Sequence, residues 1–459
     1  LQLDLHAARR DRAVHLPEWG MSAMVQFLTL SELSADQRIR LMRRAEKDIR
    51  ELFPLAQQVI DAVRERGDAA VVEYARRFDA PAFEAGMLRA TPADFAAARA
   101  QLAPEVIRAI EQAHANISRF HEEQMPEQMW FTQVGPGIMA GEKVTPVTSA
   151  ALYVPRGKGA FPSVMLMLAT PARVAGVPRI VVVTPPTPEG KPDAASLVAA
   201  EICGIDEVYA VGGMQAIAAL AYGTETIPKV AKLIGPGSSY VSAAKRLLYG
   251  VVDVGLPAGP SESIILTDEH ADPRLAALDL LVEAEHGPES AALLVTHSRE
   301  VAQAVLDHLP GYISELPEWR RAFINNVLNN YGGVLLTGSL DESIDFINAY
   351  APEHLEVLTA DPFITLQKLN NAGEILLGHH TPIPTANYCL GLNAILPTGG
   401  FARSFSAVSV WDFLKRTGIG FLSREGYQSL QGITAVLADY EDFPAHALAI
   451  RRRNQILGI

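Results

Sequence analysis

The chain has 459 residues, of which 49% are hydrophobic and 20% charged, and its net charge at pH 7 is −13. That much apolar material excludes a disordered or fibrous chain, and a negative field of this size argues against nucleic-acid partners. Residues 35–66 place Ile39, Leu41, Met42, Ile49, Leu52, Leu55, Val59, Ile60 and Val63 near helical spacing, with Gly67 as a stop and Pro54 dividing the stretch into two helices. A second helical pattern runs through Phe95, Leu102, Val106, Ile110 and Ile117 to about Phe120. From about residue 150 short β-branched runs alternate with Ala- and Leu-rich stretches. Strands are expected at 151–154, 180–184, 207–211, 263–266, 292–296, 333–336, 354–358 and 374–377, with helices between them. Strand, glycine turn and helix in repetition predict parallel α/β sheets with crossover connections.

Cys203 and Cys389 are too few for a disulfide framework or a four-thiolate zinc site, and they fit a reducing compartment. No apolar run reaches the roughly 18 residues that a membrane span needs, and residues 1–10 lack a signal-peptide core. The expected location is cytoplasmic.

The dinucleotide fingerprint G-x-G-x-x-G and the metal motifs H-E-x-x-H and C-x-x-C are missing. Val211-Gly-Gly-Met-Gln215 and Gly235-Pro-Gly-Ser238 are either anion-binding helix starts or ordinary tight turns. Glu283 and His286 stand at i and i+3 near the end of a helix that opens at Asp272-Pro273, so both share one face, as a cation site or a solvated pair. Glu353-His354 follows Pro352 at a strand start, where neighbours point to opposite faces unless the backbone twists. His446 follows Pro444 near the start of the last helix, while His379-His380 reads as a solvated pair in a loop.

Longer stretches resemble one family. They are Gly259-Pro-Ser-Glu262 with Glu285-His286 downstream, Ala351-Pro-Glu-His-Leu355, Leu396-Pro-Thr-Gly-Gly-Phe-Ala-Arg403, residues 63–79, Tyr153-Val-Pro155, residues 211–219 and Phe413-Leu-Lys-Arg-Thr417. In this order, from about residue 35 to the C-terminus, they resemble histidinol dehydrogenase. The resemblance implies two incomplete Rossmann-like domains with helical ends exchanged in an intertwined homodimer. The implied boundaries are an N-terminal helical segment at 1–45, a catalytic and zinc-side domain of 46–152 plus 262–408, an NAD-side domain at 153–261 and a swapped tail at 409–459.

The same resemblance implies a dehydrogenase that oxidises a primary alcohol through the aldehyde to a carboxylate with two NAD+. Glu353 and His354 match its catalytic pair. An imidazole is suited to taking the alcohol proton, and a carboxylate to activating water. Zinc would be held by Glu283, His286, Asn387 and, from the partner's tail, His446, with Glu283 and Asn387 standing where the family has glutamine and aspartate. Tyr153, Gln215 and Ser238 map to NAD contacts. Ser163, Ser261 and Glu441, with the zinc ligands and His354, map to substrate contacts. A packed thiol is expected at Cys389.

Ser238 replaces the family's asparagine and Ala394 a pocket histidine. These departures, with the altered zinc shell and the cations Arg156, Lys158 and Arg403, make 2,3-dihydroxypropane-1-sulfonate the expected substrate. The alternatives are L-histidinol and a catalytically dead paralog that only binds a ligand or metal.

Overall fold

The computed structural model describes residues 25–44, 49–156 and 159–458. Its strands are β1 (Phe27–Thr29), β2 (Met129–Gly135), β3 (Ile138–Pro146), β4 (Ala150–Tyr153), β5 (Ile180–Thr184), β6 (Val208–Ala210), β7 (Lys232–Ile234), β8 (Glu262–Thr267), β9 (Ala291–Thr296), β10 (Gly333–Leu336), β11 (His354–Leu358), β12 (Glu374–Leu377) and β13 (Leu414–Leu422). They form a six-stranded sheet in the order β1-β10-β9-β8-β11-β12, a four-stranded sheet in the order β6-β5-β4-β7, and a three-stranded sheet in the order β13-β3-β2. Pairing is parallel throughout the first two sheets and antiparallel in the third. Helices cover both faces of the two parallel sheets, which explains why β5, β8 and β9 are buried along their whole length rather than alternating.

In the large sheet, Ile265, Leu294, Val334, Leu358 and Leu376 pack with Ala276, Leu280 and Ala284 of the helix Pro273–Ala284. The opposite face carries Ile264, Leu293, Leu335, Leu355 and Val357 against Ile344, Ile347 and Tyr350 of the helix Leu340–Tyr350. Strand alternation therefore puts His354 and Glu356 on the first face, with Leu358.

The small sheet recruits the early helices. Val59, Ile60 and Val63 of the helix Phe53–Arg66 join Ile217 and Leu220 of the helix Gly213–Tyr222 on one face. Ile110 and Ile117 of the helix Pro104–Glu123 join Met165 and Leu168 of the helix Pro162–Val174 on the other. This corrects the expected domain boundaries. The helices between 53 and 123 lie on the small sheet and not on the catalytic one, because their apolar faces match the crossover helices there. A boundary between residues 152 and 153 would also cut β4, the strand that pairs with both β5 and β7. Within the expected N-terminal helical segment, residues 27–29 form edge strand β1 beside β10, and residues 1–24 lie outside the described residues.

The tail begins with β13 on β3 and continues into the packed helices Arg424–Tyr440 and Pro444–Leu457. It leaves Trp130, Phe131, Val134, Phe421, Val436, Leu437, Tyr440 and Phe443 exposed in a single chain. Among the described residues, no helix is long and apolar enough to cross a membrane.

Two leucines of one helix test the packing. Leu280 is 0% exposed and Leu278 44%. Leu280→Ala is expected to cost about 2–5 kcal/mol and Leu278→Ala no more than about 0.5 kcal/mol, read from denaturant midpoints at unchanged slope.

Candidate active site

The helix Leu340–Tyr350 ends at Ala351, whose left-handed backbone (φ 54°) turns the chain before Pro352. That turn lets the next two side chains converge. Glu353 Oε2 accepts the Glu262 backbone N–H at 2.8 Å, and Glu353 Oε1 lies 3.9 Å from His354 Nε2. The parallel register sets His354 opposite Glu374 of β12, and His354 Nδ1–H donates to Glu374 Oε1 at 2.6 Å. That bond leaves Nε2 facing Glu353 and Glu283, whose Oε1 is also 3.9 Å away.

Glu283 comes from the last turn of the helix Pro273–Ala284 and is fully buried. Its Oε2 lies 3.2 Å from His286 Nδ1, and its Oε1 accepts from Asn387 Nδ2 at 3.1 Å. Ser261 Oγ lies 3.0 Å from His286 Nδ1. Glu353, His354, Glu283, His286, Asn387 and Ser261 thus meet around one point at the amino ends of β8 and β11.

The electrostatics follow from this crowding. Burial opposes the charge of Glu283, but His286 and His354, with hydrogen bonds from Asn387 and Ser261, hold its carboxyl below the usual range. Burial, with the charges of Glu283 and Glu262, holds Glu353 well above that range despite His354. Burial also disfavours a charged His354, yet the carboxylates of Glu283, Glu353 and Glu374 outweigh it and raise the imidazole to about 10.

A support not foreseen from the sequence lies behind this cluster. Arg44 pairs with the buried Glu262, donates to the carbonyls of Tyr350 (2.6 Å) and Ala351 (3.4 Å), and stacks over the Tyr350 ring at 3.8 Å. Glu262 Oε1 also accepts the Gly399 N–H at 2.7 Å, so the Leu396–Arg403 stretch cradles the start of β8. Glu374 escaped notice because it reads as a polar residue opening a strand. Its signal is a carboxylate in register with His354.

The expected cofactor contacts gather elsewhere, at the carboxyl ends of the small sheet. The order β6-β5-β4-β7 reverses beside β4, where parallel sheets form a crevice. Tyr153 ends β4, and its hydroxyl accepts the Gly213 N–H at 3.1 Å. Gln215 is buried in the first turn of the helix Gly213–Tyr222, and Ser238 caps the helix Ser239–Leu247. Gly235 must be glycine, because a Cβ there would sit 2.2 Å from the Tyr153 carbonyl oxygen. Lys245 Nζ fixes this loop by donating to the Gly235 carbonyl at 2.5 Å, and burial lowers its pKa to about 8. Ser163 lies in the first turn of the helix Pro162–Val174, following β4.

Two expected site residues are not brought to the cluster within one chain. Glu441 and His446 are exposed in the tail, where the His446 ring lies 5.1 Å from Phe443. Cys389 is exposed rather than packed, since it ends a short helix on the surface.

The family model for histidinol dehydrogenase matches residues 42–454. A histidinol dehydrogenase from Synechocystis sp. is 57% identical over 95% of this chain and 100% of its own length. The chain belongs to the histidinol dehydrogenase family. A histidinol dehydrogenase homolog from Cereibacter sphaeroides is 51% identical over 93% of this chain and 97% of its own. The crystal structure of histidinol dehydrogenase from Elizabethkingia anophelis superposes with a TM-score of 0.89 at 30% identity, over 96% of this chain and 100% of that one.

These relatives overturn the expected sulfonated diol, since the 57% identical relative and the structural neighbour are both named for histidinol. The side chains agree with the correction. Arg156 donates to the Pro186 carbonyl at 3.2 Å and Arg403 to the Ala349 carbonyl, so both cations are engaged by backbone. Lys158 lies outside the described residues. Ala394 packs against the apolar cluster of the small sheet, so the loss of a histidine there does not mark a new pocket.

The Arg44–Glu262 pair yields a stability prediction. Arg44→Ala strands a buried carboxylate and is expected to cost about 3–5 kcal/mol in urea unfolding at pH 8. Burial raises Glu262 to about 7 even with Arg44 present. Without Arg44 the folded-state pKa rises further, so the loss should shrink as pH falls to 5 and the carboxyl protonates.

Proposed function

We propose that this chain is an NAD-dependent dehydrogenase that oxidises L-histidinol through the aldehyde to L-histidine, reducing two NAD+. The observation that carries this reading is the buried His354 imidazole, oriented by Glu374 and facing both Glu353 and Glu283, in a chain alignable along the whole of a 57% identical histidinol dehydrogenase.

The residues around Glu283 fit a zinc ion. Glu283 is fully buried, with the His286 imidazole 3.2 Å from its Oε2 and the Asn387 amide 3.1 Å from its Oε1, a carboxylate, an imidazole and an amide converging on one point. Glu283, His286 and Asn387 would hold the metal with His446 of a second copy. Zinc held there would supply a Lewis acid for the substrate oxygen and would offset the charge of Glu283, which raises both His354 and Glu353. Tyr153, Gln215 and Ser238 would bind NAD+ at the crevice of the small sheet.

His354 Nε2 takes the alcohol proton as hydride leaves the carbinol carbon for NAD+. With the Glu283 charge that helps raise Glu353 offset by the metal, Glu353 would be ionised and would take a proton from the water that adds to the aldehyde, and a second hydride passes to a second NAD+. The sum is alcohol, water and two NAD+ giving carboxylate, two NADH and three protons.

A homodimer accounts for the tail. The apolar residues left exposed on β2, β13 and the two tail helices need a partner surface, and exchange of tails would deliver Glu441 and His446 to the neighbour's site.

Steady-state NADH formation from L-histidinol tests the reading. His354→Gln and Glu353→Gln are each expected to lower kcat by roughly 10²-fold or more with little change in stability. Glu283→Ala and His286→Ala should reduce bound zinc in metal analysis. Mixing His446→Ala with His354→Ala subunits should restore part of the activity, because one of the two sites in a mixed dimer would be whole. A monomer fully active at dilute concentration contradicts the exchanged tail.

A further inference from the structure

The two glycine turns of the small sheet, Val211–Gln215 and Gly235–Ser238, each lead from a strand end into a helix at the edge where the expected nucleotide contacts gather. They differ in what their backbone donors already hold. At the first turn the Tyr153 hydroxyl accepts the Gly213 N–H at 3.1 Å. At the second the Ser238 side chain makes no capping bond, so among the described residues the first-turn N–H groups of the helix Ser239–Leu247 have no side-chain acceptor. The second turn is also bare backbone by necessity. A Cβ would sit 2.2 Å from the Tyr153 carbonyl oxygen at Gly235 and 2.5 Å from Val241 Cγ1 at Gly237.

Beneath this bare turn lies Lys245, from the last turn of the same helix. It is 8% exposed, and its Nζ donates to the Gly235 carbonyl at 2.5 Å. Among the described residues that carbonyl is its one hydrogen-bond partner, and no carboxylate pairs with its charge. Lys191, Lys232 and Lys368, all more exposed, each pair with an aspartate. A buried cation without a counter-ion is costly, and burial here disfavours the charge with no neighbouring charge to offset it. The bond also turns the Gly235 carbonyl oxygen, which would repel an anion, toward the buried ammonium. What the place lacks is negative charge, and the crevice beside it is where the proposed function puts a dinucleotide with two phosphates.

We propose that Lys245 is the positioning residue of a diphosphate subsite, holding the Gly235–Ser238 turn and setting a buried positive charge under it, so that the first-turn N–H groups of the helix Ser239–Leu247 receive the pyrophosphate of NAD+. The subsite rests on the reading of Tyr153, Gln215 and Ser238 as nucleotide contacts. Lys245 acts through the turn. Its bond to Gly235 fixes the backbone, and its charge adds to the positive field of the helix start. The Val211–Gln215 turn, with the Gly213 N–H already taken by Tyr153, serves the nucleotide through Gln215 instead.

The test follows NADH fluorescence as ADP, or adenosine without its phosphates, displaces NADH from the intact zinc-loaded enzyme. Wild type is expected to bind ADP at least roughly tenfold more tightly than adenosine, with the ADP affinity falling as salt rises. Lys245→Met removes the charge and the bond at nearly constant size, whereas Lys245→Gln offers Gly235 an uncharged donor. Each is expected to weaken NADH and ADP roughly tenfold, to flatten the salt dependence and to leave adenosine within about twofold. A collapsed turn would weaken adenosine as much as ADP, and that result overturns the proposal, as does ADP binding unchanged in both variants. If Lys245→Met does not fold, Lys245→Gln decides on the same readings. A wild type that binds neither NADH nor ADP overturns the nucleotide crevice together with the subsite. A wild type that binds both, with variants that match it, overturns the subsite alone.

Discussion

One imidazole buried among carboxylates is the constraint on which the rest depends. His354 has contacts with Glu374, Glu353 and Glu283 at 2.6, 3.9 and 3.9 Å, in surroundings almost closed to water. So much negative charge is tolerable only with compensation, since an isolated buried carboxylate would cost many kcal/mol. The compensation is visible around it. His286 and Asn387 attend to Glu283, the Glu262 N–H attends to Glu353, and Arg44 attends to Glu262. Where compensation runs short, at Glu356 and Glu353, burial drives the carboxyls toward the neutral form.

That cluster dictates much of the surrounding backbone. The left-handed Ala351, the cradle of Gly399 over Glu262 and the bond from the Gly259 N–H to Thr398 Oγ1 at 2.6 Å all bring the starts of β8 and β11 together. Parallel α/β sheets usually offer the carboxyl ends of their strands to ligands. The proposed nucleotide contact Tyr153 lies at such an end of the small sheet, bonded to the Gly213 N–H. The large sheet departs from that habit, because its chemistry-bearing side chains sit at the amino ends, where the last turn of the 273–284 helix supplies Glu283. In the proposed function, the one edge holds the nucleotide and the other the alcohol.

Much of this was legible in the residues. The buried strand 180–184 could be read from its uninterrupted β-branched run, 333–336, 354–358 and 374–377 from short apolar runs between helical stretches, and the 273–284 helix from its Asp-Pro start. The histidinol dehydrogenase family was readable from collinear motifs. What escaped the reading is non-local. Glu374 and Arg44 are unremarkable in sequence and acquire meaning only through strand register and a contact spanning 218 residues in numbering. The domain boundary was misplaced because periodicity identifies a helix's apolar face but not the sheet it will cover. His121 sits in a helical stretch with charged neighbours, yet it is buried and meets both Gln124 and the distant Asn393. The substrate was misread for a related reason. The Ala394 substitution and the cations Arg156 and Arg403 suggest pocket chemistry in sequence, whereas Ala394 packs on the apolar core and both arginines donate to backbone carbonyls.

The central claim is that the Glu283–His354 cluster is where the alcohol reacts. A crystal structure of the zinc-loaded protein with L-histidinol tests it most directly. The account predicts the carbinol group against His354 Nε2, beside Glu353 and the metal, with the crevice at Tyr153 and Gln215 open toward the same carbon. L-histidinol bound elsewhere, in the surface cleft lined by His270 and His379 for example, with the His354 cluster left empty, would contradict it.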